Sequence, residues 1–503
     1  MVKHRTRRAD SSAAFSFLPL VTAVLVFAPV FRGGNRPLPL LVLELLALCL
    51  FVLFLVQARS PWAGLGKLER AALALLVVVP LVSLLPLPAS LWGALPGHSP
   101  YLESLALFGA DTASAWRSLA VVPHYAETST LALLPPLAVF MGVLACSDSE
   151  RERLVKVFLA VATLEAALGL AQYGSQGGFY LGMDAAGGSA QGTYPNRNHF
   201  AGLFEMAAPL AAALFAANFG HRDRPRHYRR RGIRAIFATL GEAKVNAYIG
   251  FLVLLTFFGL AVVFSRSRAG IALFILGMLL LTAFFAPRLG GRRTLRSVGG
   301  VVVLLCGLAI SVGLVPVLQR FAEEDPVAND RWPMASAAID GIGAFFPFGA
   351  GTGNFPEVFR RFHPEGIAGF INHAHNDYLE WLFEGGLLAG LALALVLAAY
   401  GRQWLRVLRA PEWHKDNYLR IGAALGILLI GLHGFVDFNL RIPANAVFVA
   451  FLFGLLFAPV TPGTNPVHEE KRARKREEPK VADPVPVAPP LQPPPNTPNP
   501  FAS

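Results

Sequence analysis

The sequence predicts an all-α, polytopic membrane protein with about twelve transmembrane helices. Three observations carry that prediction. The 503-residue chain is 54% hydrophobic and 15% charged, too apolar for one soluble domain and far too apolar for disorder. Its apolar runs repeatedly reach the ~20 residues that a helix needs to cross hydrocarbon. Its Lys and Arg fall into alternate connecting segments, as the topology of such a protein requires.

The spans follow in order at 13–31, 37–56, 70–87, 128–145, 154–173, 199–219, 248–264, 269–286, 298–317, 380–400, 420–439 and 442–460. The first follows the basic stretch VKHRTRR. Residues 32–36 lack the small-residue pattern of a signal-peptide cleavage site, so this run reads as a span. The third is interrupted by Pro80 and Pro86, which a span tolerates where neighbours satisfy the freed backbone groups. Cys49, Cys146 and Cys306 lie in or beside apolar runs and offer neither a disulfide framework nor a metal motif.

Orientation comes from charge. With the N-terminus in the cytoplasm, the inside segments and their span edges hold 33 of the 44 Lys and Arg. The most basic loop, HRDRPRHYRRRGIR, falls inside, as does the tail. The net charge of +12 is therefore read as topology, not as a nucleic-acid surface. The outside cations are all Arg, the better fork for carboxylate and phosphate. Both termini are expected in the cytoplasm and the three longest outside segments, 88–127, 174–198 and 318–379, in the periplasm of a bacterial inner membrane. Loops of that length are usually functional. Residues 1–460 form the membrane domain, with 318–379 as a large loop between spans 9 and 10. Residues 461–503 form a charged, then Pro-rich tail that cannot build a packed core.

Four outside motifs carry polar residues at span edges. INHAHNDYLEWLFEGG, residues 371–386, precedes span 10. Asp377 and Glu380 have capping-box spacing, which starts a helix after Asp377 as its N-cap. His373 and His375 would then precede a helix N-terminus, where backbone N–H groups favour an anion and a neutral imidazole. Three readings of the histidines stay open: a general base, a bracket for the loop, and a metal site of the H-x-H kind with Asp377. FSRSRAG, residues 264–270, connects two long spans and sets Arg266 and Arg268 at the membrane edge. Charges there mark a site or an ion pair, and lipid phosphate is the alternative partner. NDRWPMASAAI places Arg331 beside Trp332 at the start of an amphipathic surface helix, with Asp330 as a neutralising neighbour. The PFGAGTGNF segment after it lacks the Lys and the strand-to-helix context of a phosphate loop and reads as a tight turn with close backbone approach. HGFVDFNLRIPAN, residues 433–445, offers Asp437 and Arg441 as an ion pair or as a clamp on a polar substrate.

In this order, FSRSRAG, the Arg-Trp pair, P-x-G-x-G-x-G-N-F, HAHNDYLE before E-G-G, and VDFNLRIP resemble the bacterial O-antigen ligase and polymerase superfamily. GTYPNRNHFAGLFE before span 6 resembles the family's upstream segment. The resemblance covers residues 190–460. It implies a GT-C-like fold and a metal-independent membrane glycosyltransferase without cofactor. The implied donor is an undecaprenyl-diphosphate-linked saccharide, used at the periplasmic face. The implied acceptor is a saccharide or lipid A-core hydroxyl. His375, in H-N-x-Y-L, corresponds to the catalytic base, and Arg268 and Arg331 to donor diphosphate ligands. Arg266 is an additional candidate for the same role, while His373, Asn376, Asp377 and Arg441 support the site. A protein O-oligosaccharyltransferase shares these motifs. A flippase for a polyanionic lipid is the rival class, but would bury charge mid-span; here only Glu44 and Glu165 interrupt the apolar centres.

Overall fold

The computed structural model describes residues 15–57, 61–112, 114–175, 188–219, 243–289, 326–410 and 415–459, with isolated positions 299, 300, 303 and 307. The chain divides into two units, Met1–Pro459 and Val460–Ser503. The expected tail, the basic loop up to residue 242 and nearly all of the expected span 298–317 lie outside the described residues.

The protein is mainly helical. Seven helices among the described residues are long and apolar enough to cross a membrane: Pro37–Gln57, Pro123–Ala145, Asp148–Gly174, Arg197–Asn218, Asn246–Ser265, Arg268–Phe285 and Asp377–Leu408. The other expected spans are less ideal. Of the expected span 13–31, whose first two residues lie outside the described ones, the structure gives a helix at Leu18–Phe27, and Phe31 and Arg32 take left-handed backbone conformations before Gly33 and Gly34. Lys67–Ser83 is a 17-residue helix with Pro80 inside it. Lys415–His433 starts with Lys415, Asp416 and, one turn on, Arg420. Pro443–Phe457 has 15 residues.

The centre of the bundle is Arg197–Phe219. Nearly nine-tenths of its apolar window is buried, and it packs on Lys415–His433, Ala243–Ser265 and Arg268–Leu289. Small residues make that closeness possible. Ala207, Ala208, Ala211, Ala212 and Ala213 are buried on it, and a Cβ on Gly422 of the partner helix would lie 2.5 Å from the Ala213 side chain. Membrane helices use such small-residue faces because lipid supplies no hydrophobic drive between them. Glu165 also serves packing. Its carboxylate accepts the Thr193 N–H at 2.8 Å and the Thr193 hydroxyl at 2.8 Å, tying the segment before the central helix to Asp148–Gly174.

Two expected loops have structure of their own. Between 86 and 118, strands Pro86–Pro88 and Trp116–Ser118 pair antiparallel around helices Ala89–Ala94 and Ser99–Leu107, so the described fold is not purely helical. Within 318–379, the helix Pro326–Phe345 starts before Pro333 and contains Arg331 and Trp332. A short helix at Phe355–Val358 and a 3-10 turn at Phe359–Phe362 follow. Phe345, Phe355, Phe359 and Phe383 form a separate aromatic core that fixes this segment to the Asp377–Leu408 helix.

Candidate active site

The Asp377–Leu408 helix starts where the motif spacing indicates, but with a different cap. Asn376 is the N-cap, and its Oδ1 accepts the N–H groups of Tyr378 and Leu379 at 3.0 Å each. Asp377 is the first helical residue. Its N–H donates to the Gly434 carbonyl at 2.8 Å, and its Oδ2 accepts the Leu440 N–H at 3.1 Å. The expected Asp377 cap therefore gives way to a tertiary bond with the 434–441 turn. Asn and Asp cap equally well, so only the neighbouring turn separates them. Asn376 Nδ2 reinforces the same docking through the Phe435 carbonyl at 2.9 Å.

His375 stands just before this cap at φ +49°, in the left-handed region that few non-glycine residues occupy. Its Nδ1 donates to Asp437 Oδ1 at 3.2 Å. The ring meets Phe438 edge-on with centroids 5.0 Å apart, and about a quarter of the side chain remains exposed. Asp437 is itself held from three sides: Asn198 Nδ2 bonds Oδ2, the Phe438 N–H bonds Oδ1 at 2.9 Å, and His199 Nε2 lies 3.9 Å from Oδ1. Burial alone would raise the Asp437 carboxyl. The His375 hydrogen bond and the surrounding imidazoles outweigh burial and hold it well below the usual carboxylate range. An ionised acceptor fixes the His375 proton on Nδ1 and leaves Nε2 with its lone pair outward.

His373 has a different environment. Its ring stacks on Phe438 with centroids 4.0 Å apart at 17°. Its Nδ1 meets Glu380 Oε1 at 2.9 Å, while Glu380 Oε2 accepts the Ala374 N–H at 2.9 Å. Glu380 thus braces the loop instead of closing a capping box. Arg441 bridges Glu380 at 3.2 Å and Glu384 at 2.7 Å. It does not pair with Asp437, its neighbour four residues back in sequence. Burial works against its charge, but the Glu384, Glu380 and Asp377 carboxylates raise the guanidinium above its ordinary value. The two histidines of H-x-H therefore turn to different carboxylates and do not converge on Asp377. Among the described residues no group of three or more His, Cys, Asp and Glu is set to hold a metal ion.

The Gly-rich segment locks onto this cluster as a tight turn. Glu384 Oε1 accepts the Phe355 N–H at 3.2 Å, and its carbonyl accepts the Gly351 N–H at 2.9 Å. A Cβ on Gly349, at φ +79°, would lie 2.3 Å from that carbonyl. Only glycine permits the approach. The helix opens to receive the turn at Gly386, whose φ of 56° and ψ of −137° interrupt the helical run.

The three arginines stand on two other elements. Arg266, at φ +57°, lies with its guanidinium 5.7 Å from the Tyr173 ring centre. Its buried Nε has no partner among the described residues. Arg268 is exposed and opens the Arg268–Leu289 helix. Arg331 is half-buried beside the fully protruding Trp332, and its Nε also lacks a partner among the described residues. Asp330, its expected neutralising neighbour, has a side chain outside the described residues. Buried guanidinium donors are rarely left unbonded, so both are open to an acceptor from outside the described residues. His373, His375, Asn376, Asp377 and Arg441 meet in one connected cluster; Arg266 and Arg331 stand outside its hydrogen bonds.

Sequence reasoning missed Asp437 as the partner of His375, and assigned nothing to Asn198 and His199. One signal was present: polar side chains beginning an apolar span, as in NRNHF, are costly there and mark a site.

These features define a multi-pass helical membrane protein with a partly exposed His–Asp pair, and with Nε atoms of Arg266 and Arg331 that have no partner among the described residues. Residues 251–394 match the family model described as O-Antigen ligase. That segment contains FSRSRAG, Arg331, the Gly-rich turn and HAHNDYLE, and it supports the O-antigen ligase/polymerase superfamily that the motifs resemble. The match supports, in broad terms, a membrane glycosyltransferase-like activity in polysaccharide biosynthesis. No curated protein matches the chain. Asn198, Asp437 and Arg441 lie outside the matched segment, and the fold returns them to it.

Proposed function

We propose that the protein is a GT-C-like glycosyltransferase that moves saccharide from an undecaprenyl-diphosphate-linked donor to an acceptor hydroxyl. The reaction takes place at the periplasmic face of an inner membrane, as in an O-antigen or exopolysaccharide ligase or polymerase. The observation that carries this reading is the His375–Asp437 hydrogen bond, with the His375 ring partly open to solvent.

In this reaction His375 Nε2 takes the proton of the acceptor hydroxyl. The acceptor oxygen attacks the anomeric carbon of the donor sugar. The bond from that carbon to the phosphate oxygen breaks, and the electron pair leaves with the lipid diphosphate. Asp437 sets the tautomer and stabilises the imidazolium that forms. Arg266, Arg268 and Arg331 receive the charge that develops on the leaving diphosphate. Guanidinium forks do this through charge-assisted, often bidentate bonds and need no metal. Arg441 serves the site indirectly, by holding Glu380 and Glu384 in place beneath the histidine loop.

The test is a reconstituted assay with a lipid-linked oligosaccharide and a panel of saccharide, lipid A-core and protein acceptors, read by mass. The expected product is an acceptor heavier by the donor saccharide. Consumption of no donor with any acceptor would contradict the reading.

A further inference from the structure

At the far end of the helix that His375 precedes, an apolar crevice of about 140 Å³ lies between Lys67–Ser83, Leu134–Ala145, Asp377–Leu408 and Pro443–Phe457. Val396 and Ala399, in its wall, lie beyond the Gly386 break, toward the C-terminal end of that helix. Leu73, Leu137, Phe140 and Phe453 supply much of the surface, and most of these side chains are only half-buried. Glu69 is the one charged residue in the lining. It is buried and already ion-paired with Arg402, and Arg406 lies 3.8 Å from its other oxygen. An apolar cavity of this size does not hold water and takes hydrocarbon.

Arg406 reaches the crevice through Glu69 in its lining, and other cations stand near it in sequence. Lys67 and Arg70 start one wall helix, and Arg406 and Arg409 lie at the end of another; all four are exposed. Arg402 and Arg406 both face the single Glu69 carboxylate, so positive charge outnumbers negative at that side chain. We infer that the crevice takes an acyl chain of an anionic phospholipid, whose headgroup phosphate rests on Arg406 and the cations beside it. Basic residues at a membrane surface attract anionic lipid at about a fivefold gain in affinity each. The ligand is a structural lipid of the leaflet opposite His375 and takes no part in glycosyl transfer.

Native mass spectrometry of the purified full-length protein, titrated with phosphatidylglycerol or phosphatidylcholine, tests this. The wild type should retain phosphatidylglycerol through detergent exchange and hold phosphatidylcholine at least tenfold more weakly. Arg406→Gln with Arg409→Gln, which leaves the Arg402–Glu69 pair intact, should remove that preference. Ala450→Phe, which fills the crevice, should abolish retention of both lipids while the protein keeps its helical circular dichroism. Equal retention of the two lipids by the wild type, or an unchanged preference in the charge variant, overturns the inference. The charge variant decides it even if Ala450→Phe fails to fold. A raised KM for the lipid-linked donor in Ala450→Phe would assign the crevice to the donor's tail and overturn it as well.

Discussion

His375 and Asp437 meet at 3.2 Å although 62 residues separate them. The contact joins the turn before one helix to the turn between two others. It requires the Asp377 N–H to bond Gly434 and Asp377 Oδ2 to bond Leu440. The geometry of a single imidazole is thus set by the docking of two helix ends.

Asp437→Asn should keep the docking and slow transfer by ~10²-fold or more, because an amide cannot hold the same tautomer or stabilise the imidazolium. Donor binding should be nearly unchanged. The sign of the pH effect follows from the depressed carboxyl. Its stabilising contribution is fully present above the unfolded value of ~3.9 and is lost as pH falls through its lower folded value. Thermal melts of wild type and Asp437→Asn should therefore stay apart down to about pH 5 and converge only in stronger acid. A gap that already closes near pH 6 would contradict the ionised pair.

Arg441→Met should destabilise the fold more than it affects chemistry. It strands Glu380 and Glu384, whose side chains are almost fully buried. Breaking a buried pair by removing one partner costs ~3–5 kcal/mol. Arg441→Lys should recover part of that loss. Detergent-resistant thermal unfolding measures it, and an unshifted melt for Arg441→Met would remove the bridge from the account.

Arg268→Ala and Arg331→Ala should weaken donor use strongly, each lost charged hydrogen bond costing ~1.5–3 kcal/mol. Lys should rescue either site poorly, since a point charge cannot reproduce the fork. Arg266→Ala decides whether its unpartnered Nε serves the same anion. Donor titrations on the three variants, repeated in excess chelator, should show arginine dependence and no loss with chelator. Loss of activity on chelation would return a metal to the mechanism.

The proposed orientation places residue 363 outside and residue 227 inside. A membrane-impermeant thiol reagent should label His363→Cys in intact spheroplasts and spare His227→Cys, in a background lacking Cys49, Cys146 and Cys306. The reverse pattern would invert the site.

Most helices were legible because lipid demands long apolar runs. The limits of that signal show at Phe31 and Arg32, where a positive-φ break shortens the first run. The start of the 377–408 helix was legible to within one residue. Asn376 and Asp377 differ as caps only through Leu440, which no local pattern announces. The Gly-rich turn was legible as a close backbone approach, because few other causes place three glycines at alternate positions. Of the two readings of that turn, the Asp437–Arg441 ion pair suggested itself because Arg441 lies four residues away and offers a local partner. The actual partners, Glu380 and Glu384 for Arg441 and His375 for Asp437, come from another helix and the turn before it. The helix around Arg331 was placed too late because Pro333 reads as a start, whereas the helix runs through it.

The most direct test of the account measures donor-lipid binding and saccharide transfer on the same purified His375→Ala protein. The account predicts normal insertion, near-normal donor binding and transfer slowed ~10²-fold or more. His373→Ala, which removes only a brace on Phe438 and Glu380, should be milder. Transfer at the wild-type rate by His375→Ala would contradict the account and place the base elsewhere.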